Sequence, residues 1–231
     1  MTVVMTSISP KHTNGDVQKQ AIESWKELGF RVLSFNAPSE IEVLKADYDV
    51  EFVPCFRTME GLFKVPYVPI SSFIDYAKEH GFEQVMLINS DIVIKDETSR
   101  LNDYLNHAHH GLIFSNRHDH NGDFQNPTVY SFGFDVFVIH KNFYHLIPQS
   151  MFCMGQTWWD YWIPYRFITN KIPAYLVKET MFYHMRHNVQ YSTEQWNYMT
   201  RHFQWIENFM PSQTPAGVNH RVYRTIRQSA I

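Results

Sequence analysis

The run VMLINSDIVI, residues 85–94, constrains the fold more than any other stretch of this chain. Residues 85–88 read as a buried strand and residues 92–94 resume the apolar pattern, so Asn89, Ser90 and Asp91 fall at a strand tip. An unpaired carboxylate is costly to bury, because it loses its hydration. The chain around this strand therefore has to bring a partner or a ligand to Asp91.

The flanking sequence says what kind of sheet holds the strand. Residues 2–8, TVVMTSI, read as a first strand. Asn14 or Asp16 then caps a helix whose apolar positions Val17, Ala21, Trp25 and Leu28 share one face. Gly29 suits the residue after that helix, and FRVLSF reads as a second strand, parallel to the first. Prolines 38, 54, 66 and 69 break residues 37–70 into short elements. A helix from Ser71 or Ser72 to His80, stopped by Gly81, leads into the strand at Gln84. A helix over about 99–109, a strand at 111–116, a polar loop NRHDHNGDFQNP and β-rich residues 128–139 follow. GQTWWDYWIPYRFI, 155–168, reads as a short helix ended near Pro164, and PAYLV as one more strand. From Pro211 the chain is polar, with Arg221, Arg224 and Arg227, and reads as a tail or flap. This organisation predicts a domain over residues 1–210 and a basic tail over 211–231. The alternation predicts an α/β fold with an open, mostly parallel central sheet and helices on both faces, where ligands bind outside the carboxyl ends of the strands. Asp91 and Thr6–Ser7 lie at such ends.

With 231 residues, 44% hydrophobic and 19% charged, the chain can bury one sizeable core. A net charge of −3 argues against coating nucleic acid by charge alone. No run approaches the 18 apolar residues of a membrane span, and the first residues lack the pattern of a secretory signal. Two isolated cysteines, Cys55 and Cys153, make neither a disulfide framework nor a zinc knuckle, and a reducing cytoplasm is the expected location.

The N-x-D spacing of Asn89–Asp91 resembles the D-x-D signature of glycosyltransferases with the Rossmann-like GT-A fold, here as a single domain. In that family the last Asp binds Mn²⁺ or Mg²⁺, and the metal bridges the diphosphate of a nucleotide sugar. Hard cations favour carboxylate and phosphate oxygens, and the charge offsets that growing on the leaving nucleoside diphosphate. The chain departs from the motif at its first position, where Asn89 leaves one negative ligand fewer. The resemblance continues with Asp160 in GQTWWDYW, at a helix start among Trp158, Trp159 and Trp162, where the family places an acid beside the acceptor. It ends with His184 in TMFYHMRHN, matching a late metal-ligating His, with His187 as its substitute. It spans residues 6 to 187.

The same resemblance implies that SFGFDVFVIHKNFY, 131–144, passes beneath the donor sugar. There Gly133 lets backbone approach the ring and Asp135 accepts hydrogen bonds from its hydroxyls. Ser90 belongs with Asn89 among the donor contacts, Thr6 and Ser7 touch the nucleoside, and Arg57, ahead of Lys64, contacts phosphate. Two clusters are set aside: HAHH, 107–110, as a solvated helix end, and DHNGD, 119–123, as a turn, because Tyr130 stands where a calcium loop needs its bidentate Glu. The implied function is metal-dependent transfer of a sugar from a nucleotide-sugar donor to a hydroxyl acceptor, which is a glycan, lipid-linked sugar, protein or modified DNA base. Asp160 is the base if the reaction inverts the anomeric carbon. The alternatives are a non-catalytic sugar- or peptide-binding module, a sugar-nucleotide pyrophosphorylase and, last, a metal-dependent nuclease.

Overall fold

A computed structural model describes all residues except 13–14, 123, 187–191 and 210–212. The strand–helix–strand opening is present as β1 (Thr2–Thr6), α1 (Gly15–Glu27) and β2 (Arg31–Asn36), with β1 and β2 parallel. Val17, Ala21 and Trp25 are buried, whereas Leu28 lies past the helix end and is 40% exposed. Gly29 stops α1 with φ +81°, and the N–H groups of Gly29 and Phe30 return to the carbonyls of Lys26 and Trp25. Of the two candidate caps, Asn14 lies outside the described residues and Asp16 lies within the first turn.

The elements that follow are α2 (Pro38–Leu44), β3 (Glu51–Pro54), α3 (Glu60–Phe63), α4 (Ile70–Glu79), β4 (Gln84–Ile88), β5 (Ile92–Ile94), α5 (Leu101–His107), β6 (Leu112–Ser115), β7 (Arg117–His120), β8 (Thr128–Tyr130), β9 (Val136–His140), α6 (Trp159–Thr169), β10 (Ala174–Leu176), β11 (Phe182–Met185), α7 (Thr193–Ile206) and α8 (Pro215–Ser229). The main sheet has the order β10-β6-β9-β4-β1-β2-β3. All of its strands run parallel except β9, which is antiparallel to β4 and β6. Alternation divides each strand between two cores. Val3, Met5, Val85 and Leu87 pack with residues of α4, α6, α7 and α8, while Val4, Met86 and Ile88 pack with residues of α1 and α5 on the other face. This is the Rossmann-like α/β fold expected from the sequence.

A second, smaller sheet with the order β5-β11-β7-β8 stands at the carboxyl end of the first. Its strand β7 corrects the polar loop expected over 116–127. His118 and His120 are buried on one face, and Arg117 and Asp119 project from the other. The alternation is there, but it is written in polar residues. It becomes a strand only through pairing with β8 and β11.

Two further expectations change. The helix expected to end near Pro164 continues to Thr169, with Pro164 inside it. A proline removes one backbone hydrogen bond there, and burial of Trp159, Trp162, Ile163 and Phe167 outweighs that loss. The C-terminal stretch, read as a polar tail or flap, forms helix α8. Val218, Val222 and Ile226, four residues apart, are fully buried against α6 and α7, and the backbone of Ile231 pairs with Ala174 and Leu176 of β10. Among the described residues, no helix is long and apolar enough to cross a membrane.

Candidate functional site

Strand register assembles the site. β4 pairs with β9 so that Ile88 faces Val136, which makes Asn89 and Asp135 the next pair beyond the ladder. Asn89 N–H donates to the Asp135 carbonyl at 3.2 Å, and Asn89 Nδ2 donates to Asp135 Oδ1 at 2.6 Å. In the second sheet, His184 lies opposite both Ile92 of β5 and Asp119 of β7. The chain thus turns at Asn89–Asp91 from one sheet into the other, and Asp91 emerges where the two sheets meet.

A continuous set of charged contacts results. His184 Nδ1 lies 2.9 Å from Asp119 Oδ1, and His184 Nε2 lies 3.5 Å from Asp91 Oδ2. His12, in the loop after β1, reaches the same Asp91 oxygen through Nε2 at 3.3 Å. Arg117 contacts Asp119 Oδ1 through Nε at 2.9 Å and Asp135 Oδ2 through Nη1 at 3.5 Å, and its guanidinium lies 4.2 Å from the centre of the Tyr130 ring. Burial alone would push the His184 pKa down, but the bonds to Asp119 and Asp91 outweigh it and hold the pKa up at about 9. Burial opposes ionisation of Asp119 too, yet His184 and Arg117 leave its pKa below the ordinary value.

Asp160 enters from the first turn of α6. Burial, then repulsion from Asp135, raise its pKa to about 7, against hydrogen bonds from the backbone of Phe134, Tyr161 and Asp160 itself. Gly133 lies against it: a Cβ there would come within 3.1 Å of Tyr130 Cε1 and 3.4 Å of Asp160 Oδ2. Asn89, Asp91, Gly133, Asp135, Asp160 and His184 are therefore gathered in one region. His12 and Arg117, not singled out in the sequence, join them, as does Asp119, which was set aside with the turn at 119–123 and instead lies on β7. The R-H-D-H alternation was the available signal for two of them. His12 carried none, since its loop has no periodicity.

Other expected residues stand apart or are differently engaged. Ser90 is buried and its hydroxyl donates to Gln18 Oε1 of α1 at 2.7 Å, which braces the turn. Thr6 is fully buried at the tip of β1, and its Oγ1 has no hydrogen-bond partner among the described residues; Ser7, half-buried, follows it. Arg57 is exposed and bonds Gln149, which also meets Ser71 of α4. Among the described residues, no ion pair joins Arg57 to the Asp91 cluster. Lys64 is exposed, and among the described residues its ammonium bonds its own turn, at Gly61. His187 lies outside the described residues. His107, His109 and His110 are exposed around the end of α5, and the backbone bends at Asn121–Gly122, with Gly122 at φ +103°.

Among the described residues, no group of three or more His, Cys, Asp or Glu side chains is arranged to hold a metal ion. Asp91 and His184 are the two that could share one. The Nδ1 contact with Asp119 turns the other imidazole nitrogen toward Asp91, the arrangement in which an outer carboxylate orients a ligating histidine. A carboxylate and an imidazole that gives up its Nε2 proton to the metal suit a cation that takes its remaining ligands from phosphate and water.

Neither family models nor curated proteins match the sequence. Solved structures do. TarS of S. aureus aligns with 99% of this chain and 43% of its own, at 11% identity and a TM-score of 0.54. A protein from Desulfovibrio desulfuricans G20, provisionally named a nucleotide-diphospho-sugar transferase, aligns over 100% of this chain and 98% of its own, at 13% identity and a TM-score of 0.46. A glycosyltransferase involved in glycosylation of the major capsid of PBCV-1 aligns over 96% and 98%, at 10% identity and a TM-score of 0.43. The chain spans under half the length of TarS. The likeness to TarS is one of fold, and that fold is GT-A-like.

Proposed function

We propose that this GT-A-like chain is a glycosyltransferase that moves a sugar from a nucleoside-diphosphate donor to a hydroxyl acceptor. The observation that carries the reading is the meeting of Asp91 and His184, 3.5 Å apart, with Asp160 at one sheet mouth. Asp91 and His184 would hold Mn²⁺ or Mg²⁺, and such an ion offsets charge on a departing diphosphate. Asp119 keeps the His184 ring turned toward Asp91. Asp135, whose carboxylate is held by Asn89 and Arg117, would accept hydrogen bonds from hydroxyls of the donor sugar. With a pKa of about 7, Asp160 is poised to take a proton from an acceptor hydroxyl near neutral pH if the transfer inverts the anomeric carbon. If it retains configuration, Asp160 orients sugar or acceptor.

The test is thermal stability against a panel of nucleotide sugars, with and without Mn²⁺. A bound donor at a hundred times its Kd stabilises the fold by about 2.7 kcal/mol. Asp91→Ala is expected to keep the fold and abolish the Mn²⁺-dependent part of the shift. Equal responses from the variant and the wild type would remove Asp91 from the site and defeat the reading. Release of pyrophosphate from a nucleoside triphosphate and a sugar phosphate would instead identify a pyrophosphorylase.

A further inference from the structure

Residues Tyr130 to Gly133 are held with unusual completeness for a turn. Asn116 Nδ2 donates to the carbonyls of Tyr130 and Gly133 at 3.1 and 2.6 Å. Arg227 of α8 donates to the Ser131 carbonyl at 3.1 Å, and the Tyr161 hydroxyl of α6 donates to the Phe132 carbonyl at 2.6 Å. Four consecutive carbonyls are thus fastened by three side chains. The segment displays one large apolar group, Phe132, which is 63% exposed. One side of its ring is backed by Tyr223 of α8, with centroids 5.6 Å apart and planes at 28°.

The position of this ring gives it a use. A chain of contacts links these groups: Asp91 meets His12 and His184, His184 meets Asp119, and Arg117 joins Asp119 to Asp135. Gly133, two residues before Asp135, lies against Asp160, and Phe132 beside it meets α6 through its carbonyl and α8 through its ring. If the diphosphate lies at Asp91 and transfer occurs at Asp160, Phe132 lies on the far, acceptor side. We propose that Phe132, backed by Tyr223 and one residue from Gly133, is a stacking platform for a sugar ring of the acceptor, so that the acceptor is a carbohydrate. A pyranose has an apolar C–H face that packs flat on an aromatic ring, with its hydroxyls left at the edge for a carboxylate such as Asp160. A rigid platform binds without first having to be ordered. This inference rests on the transfer reading above.

The test is saturation-transfer NMR on the full chain with methyl glucopyranoside, methyl galactopyranoside and methyl N-acetylglucosaminide as probes. At least one is expected to receive saturation at its ring C–H protons from the wild type. Phe132→Ala should weaken that binding roughly tenfold, Phe132→Trp should retain it, and Trp205→Ala, an exposed ring on α7, should leave it unchanged. The signal should also persist when the nucleotide sugar that stabilises the wild type is added. Absence of saturation with every probe, or equal binding by Phe132→Ala, overturns the platform. Displacement by the nucleotide sugar overturns its assignment to the acceptor. A wild type stabilised by a nucleotide sugar but indifferent to all glycosides keeps the transfer reading and loses the platform. Glycoside binding with no nucleotide-sugar response defeats both the transfer reading and the acceptor role.

Discussion

Asn89 is where the chain departs from the D-x-D pattern, and its surroundings give a physical reason. Its amide donates to Asp135 at 2.6 Å, a bond that an ionised Asp cannot make. Asn89→Asp would set two carboxylates against each other and is expected to cost about 1–3 kcal/mol at pH 7.5. Repulsion raises the pKa of the new acid, so the penalty should shrink as pH falls toward 4. Urea unfolding at both pH values checks this; an equal loss at both would remove electrostatics as the cause. Asp160 titrates with the same sign. Its pKa rises from an ordinary 3.8 to about 7 in the fold, so its contribution to stability is fully present below about pH 4 and lost as pH climbs through 7. Asp160→Asn is therefore expected to be more stable than wild type at pH 8, by roughly 1–3 kcal/mol, and similar to it near pH 4. Transfer by this variant should fall about 10²–10⁴-fold with donor binding kept, and unchanged turnover would take Asp160 out of the mechanism. Asp119→Ala should lower Mn²⁺ affinity about 10–100-fold by calorimetry, because His184 loses the group that orients it.

At the scale of elements, β7 and α8 do the most to shape the site. β7 carries Arg117 and Asp119 to it, and its opposite face buries His118 and His120. α8 supports it from behind through Arg227 and Tyr223. Ile226, fully buried on α8, anchors that helix. Ile226→Ala is expected to destabilise the protein by about 2–5 kcal/mol in urea unfolding, through lost burial and the cavity left behind. It should also increase hydrogen exchange at residues 130–134, which α8 braces. Exchange confined to α8 itself would show that the turn is held without the helix.

At the scale of the whole molecule, α6, α7 and α8 share one core with the main sheet, so secondary structure and tryptophan fluorescence are expected to melt in a single coincident transition. Sequence alone determined the parallel β1–α1–β2 opening, the strand ending at Asn89–Asp91 and a helix within residues 155–168. Each is written locally, in apolar periodicity, in a stop such as Gly29, or in a polar residue that interrupts an apolar run. The tertiary structure alone decided that His184 faces Asp91 and Asp119, that His12 and Arg117 belong with them, and that the C-terminal stretch packs as a helix. His184 meets residues 65 and more positions away through strand register, and register depends on which strands pair. Arg117 and Asp119 lie on a strand without apolar alternation, so hydrophobicity, the signal that local reading depends on, passes over them until β11 pairs beside them.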